Sequence, residues 1–429
     1  MCAIKSVKGF KDILPDETGR WQFVENTARR IFSDFGIHEI KIPILEKTDL
    51  FKRGIGESTD IVEKEMYTFD DRGGESLTLR PEATASIVRA YLEHNMNTAD
   101  VLTKLFTIGP MFRRERPQKG RFRQFHQIDV EYIGEKDARV DAELIFMLMH
   151  FLSTLGIQSL NLELNSLGCS QCRPAFRDEI TAFFTSKKTH LCSDCTRRLD
   201  TNPLRIYDCK NEECRDVLSQ APVIQDFLCN ECRSHFELVR HFLSLLNVDF
   251  TINSFMVRGL DYYTNTAFEI TTGAETSQNA VTGGGRYDDL SQVLGGPAIP
   301  GIGFAIGVER LISLLPASLE IHRDNPVLFI AALGNEAQQL AFEFSNALRL
   351  RGISTEMDFS NRSLKSQMKR SDKVNAMYTL IMGDAELENN MAFLRNMTSK
   401  EQTSIDISTK DAFIASALQK IAVKGDKVL

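Results

Sequence analysis

Between residues 16 and 35, Trp21, Val24, Ala28, Ile31, Phe32 and Phe35 recur at spacings of three and four, which predicts an amphipathic helix with one apolar stripe. Pro15 and Asp16 open it and Gly36 closes it. An extended segment over 37–42 follows, ended by Pro43, then a short extended stretch over 77–80 and a helix over 82–91. The runs 105–113 and 122–133 read as an antiparallel pair joined by the hydrophilic loop 114–121. In the second run Ile128, Val130 and Tyr132 alternate with Gln127, Asp129 and Glu131, so one face is apolar and the other bears an amide and two carboxylates. On an isolated hairpin such a face is solvated. Beside a cluster of arginines, a substrate-facing surface is an equal expectation. A helix over 138–155 and an extended segment over 160–164 complete the first part.

Strands are predicted again over 250–257 and 262–271. The glycine-dense TGGGRYDDL (282–290) follows, and 300–315 reads as a helix with Ile302, Ala305, Ile306, Glu309 and Arg310 on about one face. Pro316 ends it, and 316–326 reads as a linker. Beyond it the pattern changes. PVLFIAAL is a continuous apolar run, as in a buried parallel strand. A helix over 336–351, an extended stretch over 353–358, a basic helix over 364–374 and an apolar strand over 378–382 make an α/β domain.

The chain has 429 residues, which suggests two to four domains at roughly 150 residues each. With 42% hydrophobic and 25% charged residues, it is neither disordered throughout nor collagen nor coiled coil. No run approaches the roughly 18 apolar residues of a membrane helix, and MCAIKSVKGFKDILPD has no apolar stretch long enough for a secretory signal. A cytoplasmic protein is expected. The net charge of −7 neither demands nor excludes a nucleic-acid partner, because local charge decides that.

Eight of the nine cysteines fall between 169 and 232, as the pairs Cys169/Cys172, Cys192/Cys195, Cys209/Cys214 and Cys229/Cys232. Three are C-x2-C, and nineteen residues separate Cys172 from Cys192, within the spacing of zinc ribbons. Two such turns complete a tetrahedral four-sulfur site that is closed to substrate and therefore structural. Disulfides do not suit a chain without a signal peptide. Structural Zn2+ is the expectation; the spacing leaves open whether there is one site or two and which pairs combine.

No G-x-x-x-x-G-K-[ST] is present, and GGGR at 283–286 does not open a helix, so neither P-loop nor dinucleotide chemistry is supported. These glycines suit either a close backbone approach or a tight turn. Arg80, Arg113, Arg121, Arg258, Arg286 and Arg310 are dispersed among apolar segments, and guanidinium forks match phosphate and carboxylate oxygens. Residues 113–123 carry six basic residues against one acid, as an electropositive finger on nucleic acid would. Lys365, Lys369 and Lys373 make a basic stripe on the helix over 364–374. Together these suggest a nucleotide pocket with an RNA track.

At these residues the chain resembles the histidyl-tRNA synthetases of class II, bacterial form, across nearly its whole length. The helix over 16–35 with the strand to Pro43 resembles motif 1, the dimer-forming element. FRRERPQKGRFRQFHQIDVE (112–131) resembles motif 2 and GIGFAIGVERL (301–311) motif 3. TLRPEAT (78–84), RGLDYYTNTAFE (258–269) and GGGRYDDL (283–290) match blocks peculiar to the histidine enzymes. The implied fold is α+β and α/β multidomain. It has a class II antiparallel β-sheet catalytic core over 1–165 and 246–318, flanked by helices. A Cys-rich, mainly helical insertion follows over 166–245, with an α/β anticodon-binding domain over 326–429. The implied activity is ATP-dependent formation of histidyl-adenylate, with Mg2+, and transfer of histidine to the terminal ribose of tRNA-His by a homodimer.

By the same resemblance Arg113 holds the α-phosphate and Arg310 the γ-phosphate. Arg258 braces the α-phosphate where related synthetases place a metal ion, and Arg121 also belongs to the ATP site. Glu82, Gln127, Glu131, Tyr262 and Tyr263 grip histidine, while Arg116 and Gln118 meet the tRNA acceptor end. Many relatives lack the full set of cysteine pairs, so zinc rests on the spacing alone. A regulatory subunit of ATP phosphoribosyltransferase would lack the C-terminal domain, and a synthetase for proline or threonine would lack the RGLDYY and GGRYDDL blocks.

Overall fold

A computed structural model of the chain describes residues 4–421 apart from 58, 99, 116–120, 274–278 and 320–324. It divides into two compact units, Met1–Leu319 and Glu320–Leu429.

The first unit is built on an eight-stranded sheet in the order His38–Glu39, Thr103–Phe112, Gln124–Ile133, Gly301–Gly307, Ala280–Arg286, Thr264–Thr272, Leu160–Ser166 and Thr251–Ile252. The two outermost pairings are parallel and the five between them antiparallel. Helix Pro15–Asp34 buries Val24, Ala28, Ile31 and Phe32, the stripe its spacing predicts. With helices Ala138–Thr154 and Val308–Leu314 it covers one face of the sheet, where Ile128, Val130, Tyr132, Phe268 and Phe304 join the main core. The opposite face carries the polar residues.

Three readings are corrected here. The stretch 300–315 is not one helix: Gly301–Gly307 is a strand and only Val308–Leu314 is helical. Gly301, Gly303 and Gly307 alternate with apolar Ile302, Phe304 and Ile306, the period of two that a strand needs. The GGGR segment is not a turn either, but lies inside the central strand Ala280–Arg286. Of the strand predicted over 250–257, only Thr251–Ile252 pairs.

Helices Arg173–Ser186, Ser193–Thr201, Glu212–Leu218 and Asn230–Leu245 surround a separate small core of Phe176, Ile180, Phe184, Ile206 and Tyr207 with four buried cysteines. The last helix leaves this module midway: its Phe236, Val239 and Leu243 belong to the main core.

The second unit has a five-stranded sheet, ordered Thr355–Met357, Leu328–Ala332, Tyr378–Met382, Met391–Asn396 and Gln402–Asp406. Its first three strands are parallel, as the alternation predicts, and the last two add an antiparallel edge. Helix Leu364–Lys373 exposes Lys365, Lys369 and Lys373 and buries Gln367, whose amide bonds both the N–H and the C=O of Ala332.

Candidate active site

Strand Gln124–Ile133 turns Gln127, Asp129 and Glu131 to the face away from the core, yet all three are buried. They form a floor, not a solvated surface. Glu131 accepts hydrogen bonds from the hydroxyls of Thr84 and Tyr287, each at 2.6 Å. It lies opposite Gly303, where a Cβ would stand 1.7 Å from its Oε2; the glycine of the GIG segment makes room for the carboxylate. Glu82 accepts from the N–H groups of Thr84 and Ala85, both at 3.0 Å, at the start of helix Thr84–Glu93, and from the Tyr262 hydroxyl at 3.4 Å. Tyr262 and Tyr263 are buried beside it, with ring centroids 4.8 Å apart.

Burial shifts the acids toward their neutral forms. It pushes Glu131 up to about 8 against the pull of the Thr84 and Tyr287 hydroxyls, and raises Glu82 against the Ala85 N–H. Asp129 is held well above the usual carboxylate range by burial and by the Glu131 and Glu82 charges, with Arg80 opposing. Neither oxygen of Asp129 nor Oε1 of Gln127 has a hydrogen-bond partner. Three buried carboxyls with spare acceptor capacity suit a cationic, donor-rich ligand.

The guanidinium groups divide into two kinds. Arg113 donates to the Pro81 carbonyl at 2.8 Å and lies 5.2 Å from the centre of the Phe125 ring. Its charge acts on Glu82 and Asp129, which places it beside the floor. Arg258 pairs with Glu269 at 2.8 Å and sits 5.7 Å from the Tyr263 ring centre. Arg310 stands in the first turn of helix Val308–Leu314, just past Gly307, which pairs with Gln127. The neighbouring Glu309 fixes that turn by accepting from the His126 N–H at 3.0 Å and contacting its Nδ1 at 3.0 Å. Arg121 is exposed and pairs with Glu115 at 3.1 Å.

Arg80 and Arg286, which the sequence groups with the others, are internal braces. Arg80 donates to the carbonyls of Pro110, Ile42 and Pro43. Arg286 is buried against Asp141 at 3.0 Å, the Glu135 carbonyl and Asp288. Arg116 and Gln118 lie outside the described residues. Thr84 and Tyr287, which hold Glu131, were in the quoted motifs without a role. An acceptor on a buried strand face signals that donors of this kind must exist.

The cysteines form two groups, Cys169, Cys172, Cys229, Cys232 and Cys192, Cys195, Cys209, Cys214, with the four sulfurs of each within 4.8 Å of one another. The pairs nest, outer with outer and inner with inner, so the nineteen-residue gap does not join one site. Neighbouring sulfurs stand 3.6, 4.0, 3.7 and 3.9 Å apart. That is far beyond a disulfide at about 2.05 Å and close to the roughly 3.8 Å edge of a tetrahedron with Zn–S bonds of about 2.3 Å. The Cys192 N–H donates to Cys214 at 3.2 Å and the Cys229 N–H to Cys172 at 3.1 Å. The Cys195 N–H, chiefly, draws Cys192 down to about 7, which favours the thiolate a metal takes. The donor set fits two structural zinc ions.

The family described as Histidyl-tRNA synthetase matches residues 9–311. The chain belongs to the histidyl-tRNA synthetase family. A second match, to the anticodon binding domain, covers residues 328–416. A histidine–tRNA ligase of Desulfosudis oleivorans is 53% identical over 405 residues, 94% of this chain and 96% of that protein. One of Geobacter sulfurreducens is 52% identical over 95% of this chain and 98% of its own length. The crystal structure of apo S. aureus histidyl-tRNA synthetase superposes with a TM-score of 0.81 at 37% identity, covering 96% of this chain and all of that one. The fold is thus that of the histidyl-tRNA synthetases: an antiparallel-rich class II sheet with its helices, and a C-terminal anticodon-binding α/β domain. Among the described residues no helix is long and apolar enough to cross a membrane.

Proposed function

We propose that this chain activates L-histidine with ATP, releasing pyrophosphate, and transfers histidine to the 3′-terminal ribose of tRNA-His. The observation that carries this reading is the buried floor of Glu82, Asp129 and Glu131 beside Arg113 and Arg258. The acids accept from the ammonium and imidazole of histidine, and charge-assisted bonds in a buried cleft reject amino acids that leave them unpaired. Glu82, Gln127, Glu131, Tyr262 and Tyr263 hold the amino acid. Arg113 and Arg258 take the α-phosphate, where charge develops as the carboxylate attacks and pyrophosphate departs. Nε of Arg258 is buried without a partner, which supports a role facing an anion. Arg310 takes the γ-phosphate, Arg121 assists ATP binding, and Mg2+ neutralises the remaining phosphate charge.

In this reading 1–165 with 246–318 is the catalytic core, 166–245 a zinc-stapled insertion and 326–429 the anticodon-binding domain. Arg116 and Gln118 meet the acceptor end, and the lysine stripe at 365, 369 and 373 meets the anticodon arm. The chain works as a cytoplasmic homodimer; reduced, nested thiols support a reducing compartment. Pyrophosphate exchange measured with each of the twenty amino acids tests the assignment. Exchange with histidine alone is expected, and exchange with a different amino acid rejects it. Elemental analysis of protein purified under reducing conditions tests the metal, with two zinc ions per chain as the expected result.

A further inference from the structure

The loop that carries Arg258, Tyr262 and Tyr263 forms no helix or strand between Ile252 and Thr264, so its shape must be imposed by neighbours. The Cys-rich module supplies them from both clusters. On the outer side Arg173, next in sequence to Cys172, donates to the carbonyls of Tyr263 and Leu167. Cys232 Sγ contacts the Asn265 side chain at 3.1 Å. The Asn265 N–H bonds the Gly168 carbonyl at 2.9 Å, and the Leu167 N–H bonds the Asn265 carbonyl at 2.6 Å. On the inner side Arg205, four residues before Cys209, donates to the Gly259 carbonyl and stands 3.8 Å from Asp261. The Asn202 amide donates to Asp261 at 3.3 Å.

The second half of the loop is therefore gripped, at Gly259 and Asp261 and again at Tyr263, by side chains that sit within a few residues of the two cysteine groups. A tetrathiolate joins knuckles far apart in sequence, Cys169/Cys172 to Cys229/Cys232 and Cys192/Cys195 to Cys209/Cys214. Close thiolates repel unless a cation holds them together, so the positions of Arg173 and Arg205 depend on the ions. We propose that the Cys-rich module is a metal-set clamp on the histidine-binding loop, with Arg173 and Arg205 as positioning residues, so that histidine affinity follows metal occupancy. This rests on the histidine-ligase reading and on the two-zinc assignment above.

The test uses full-length protein and its Arg173→Ala, Arg205→Ala and Arg173→Lys variants. Zinc content, histidine binding by calorimetry and the KM values for histidine and ATP in pyrophosphate exchange are measured on each. Both alanine variants are expected to keep two zinc ions while the histidine KM and Kd rise roughly 10–100-fold, the scale of a lost charge-assisted hydrogen bond. Arg173→Lys, which keeps the charge and a donor, recovers part of that loss. In wild-type protein stripped stepwise with a chelator, histidine affinity falls in step with zinc released, and amide exchange over 258–265 quickens. Unchanged histidine affinity in both alanine variants overturns the clamp, and unchanged affinity in stripped protein overturns its dependence on metal. Wild-type protein without zinc would reject the metal assignment instead, and wild-type protein without histidine-dependent exchange would reject the ligase reading.

Discussion

The Arg258 guanidinium presses against the backbone of Gly283: a Cβ placed there would stand 2.4 Å from both terminal nitrogens. The glycine run inside the strand therefore serves an arginine from a different segment. Gly283→Ala should displace Arg258 from its pairing with Glu269 and reproduce Arg258→Ala. Histidine-dependent pyrophosphate exchange should fall about 10²–10³-fold in both, the usual scale for losing one group that stabilises transition-state charge. Circular dichroism should show the fold retained, since overpacking of this kind costs about 1–3 kcal/mol. Near-normal exchange in Gly283→Ala would mean that Arg258 acts from elsewhere.

Glu131 gives the unliganded protein a characteristic response to pH. Its ordinary value is about 4.3, and burial raises it to about 8 in the folded protein. The native state then binds more protons than the unfolded state, so stability is full below about pH 4.3 and declines as pH rises toward 8. Thermal melts of the wild type across that window should show the decline, and Glu131→Gln should flatten part of it. A wild-type melting temperature that climbs from pH 5 to 8 would contradict the buried, neutral acid.

Arg286 predicts a loss of stability and not of nucleotide binding. It is buried against Asp141, which also contacts His235 Nε2 at 2.9 Å. Arg286→Ala takes from that buried carboxylate its guanidinium partner and should cost about 3–5 kcal/mol, read by urea unfolding of the full chain. The joint change Arg286→Met with Asp141→Leu should restore much of it. In whatever fraction stays folded, the KM for ATP should match wild type; a raised KM with normal stability would return Arg286 to the phosphate site.

These cases show what was legible in the sequence. The floor strand could be read because its two faces alternate strictly and only one can join the core, so the shared polar face of Gln127, Asp129 and Glu131 is legible without a structure. The stretch 300–315 misled because Ile302, Ala305 and Ile306 fit a helical face, while the alternate glycines that clear space for Glu131 and Tyr287 mark a strand. Arg80 and Arg286 looked like Arg258, since type and apolar surroundings are the same for a ligand-facing guanidinium and for a brace. Only the partners differ, and those are distant in sequence: Pro110 for one, Asp141 for the other. The nested cysteine pairing was illegible for a similar reason. It is decided by how the module's helices fold back, which spacing along the chain does not encode.

Asp129 is where stability and binding should move in opposite directions. It stands between Gln127 and Glu131 on the floor, fully buried, with neither oxygen hydrogen-bonded. Burial and the neighbouring acids raise it well above the usual range, so above about pH 4 it lowers folded-state stability. Asp129→Asn keeps the shape and removes the titration. At pH 7 the unliganded variant should melt at a higher temperature than wild type, and at pH 4 the two should coincide. The same change removes a carboxylate from the face proposed to receive the histidine ammonium, so the histidine Kd should rise roughly tenfold, the low end for a charge-assisted bond, with ATP binding unaltered. A variant that is both more stable and equally tight for histidine would show that Asp129 faces away from the substrate, and a less stable one would show that its carboxylate is paired within the fold.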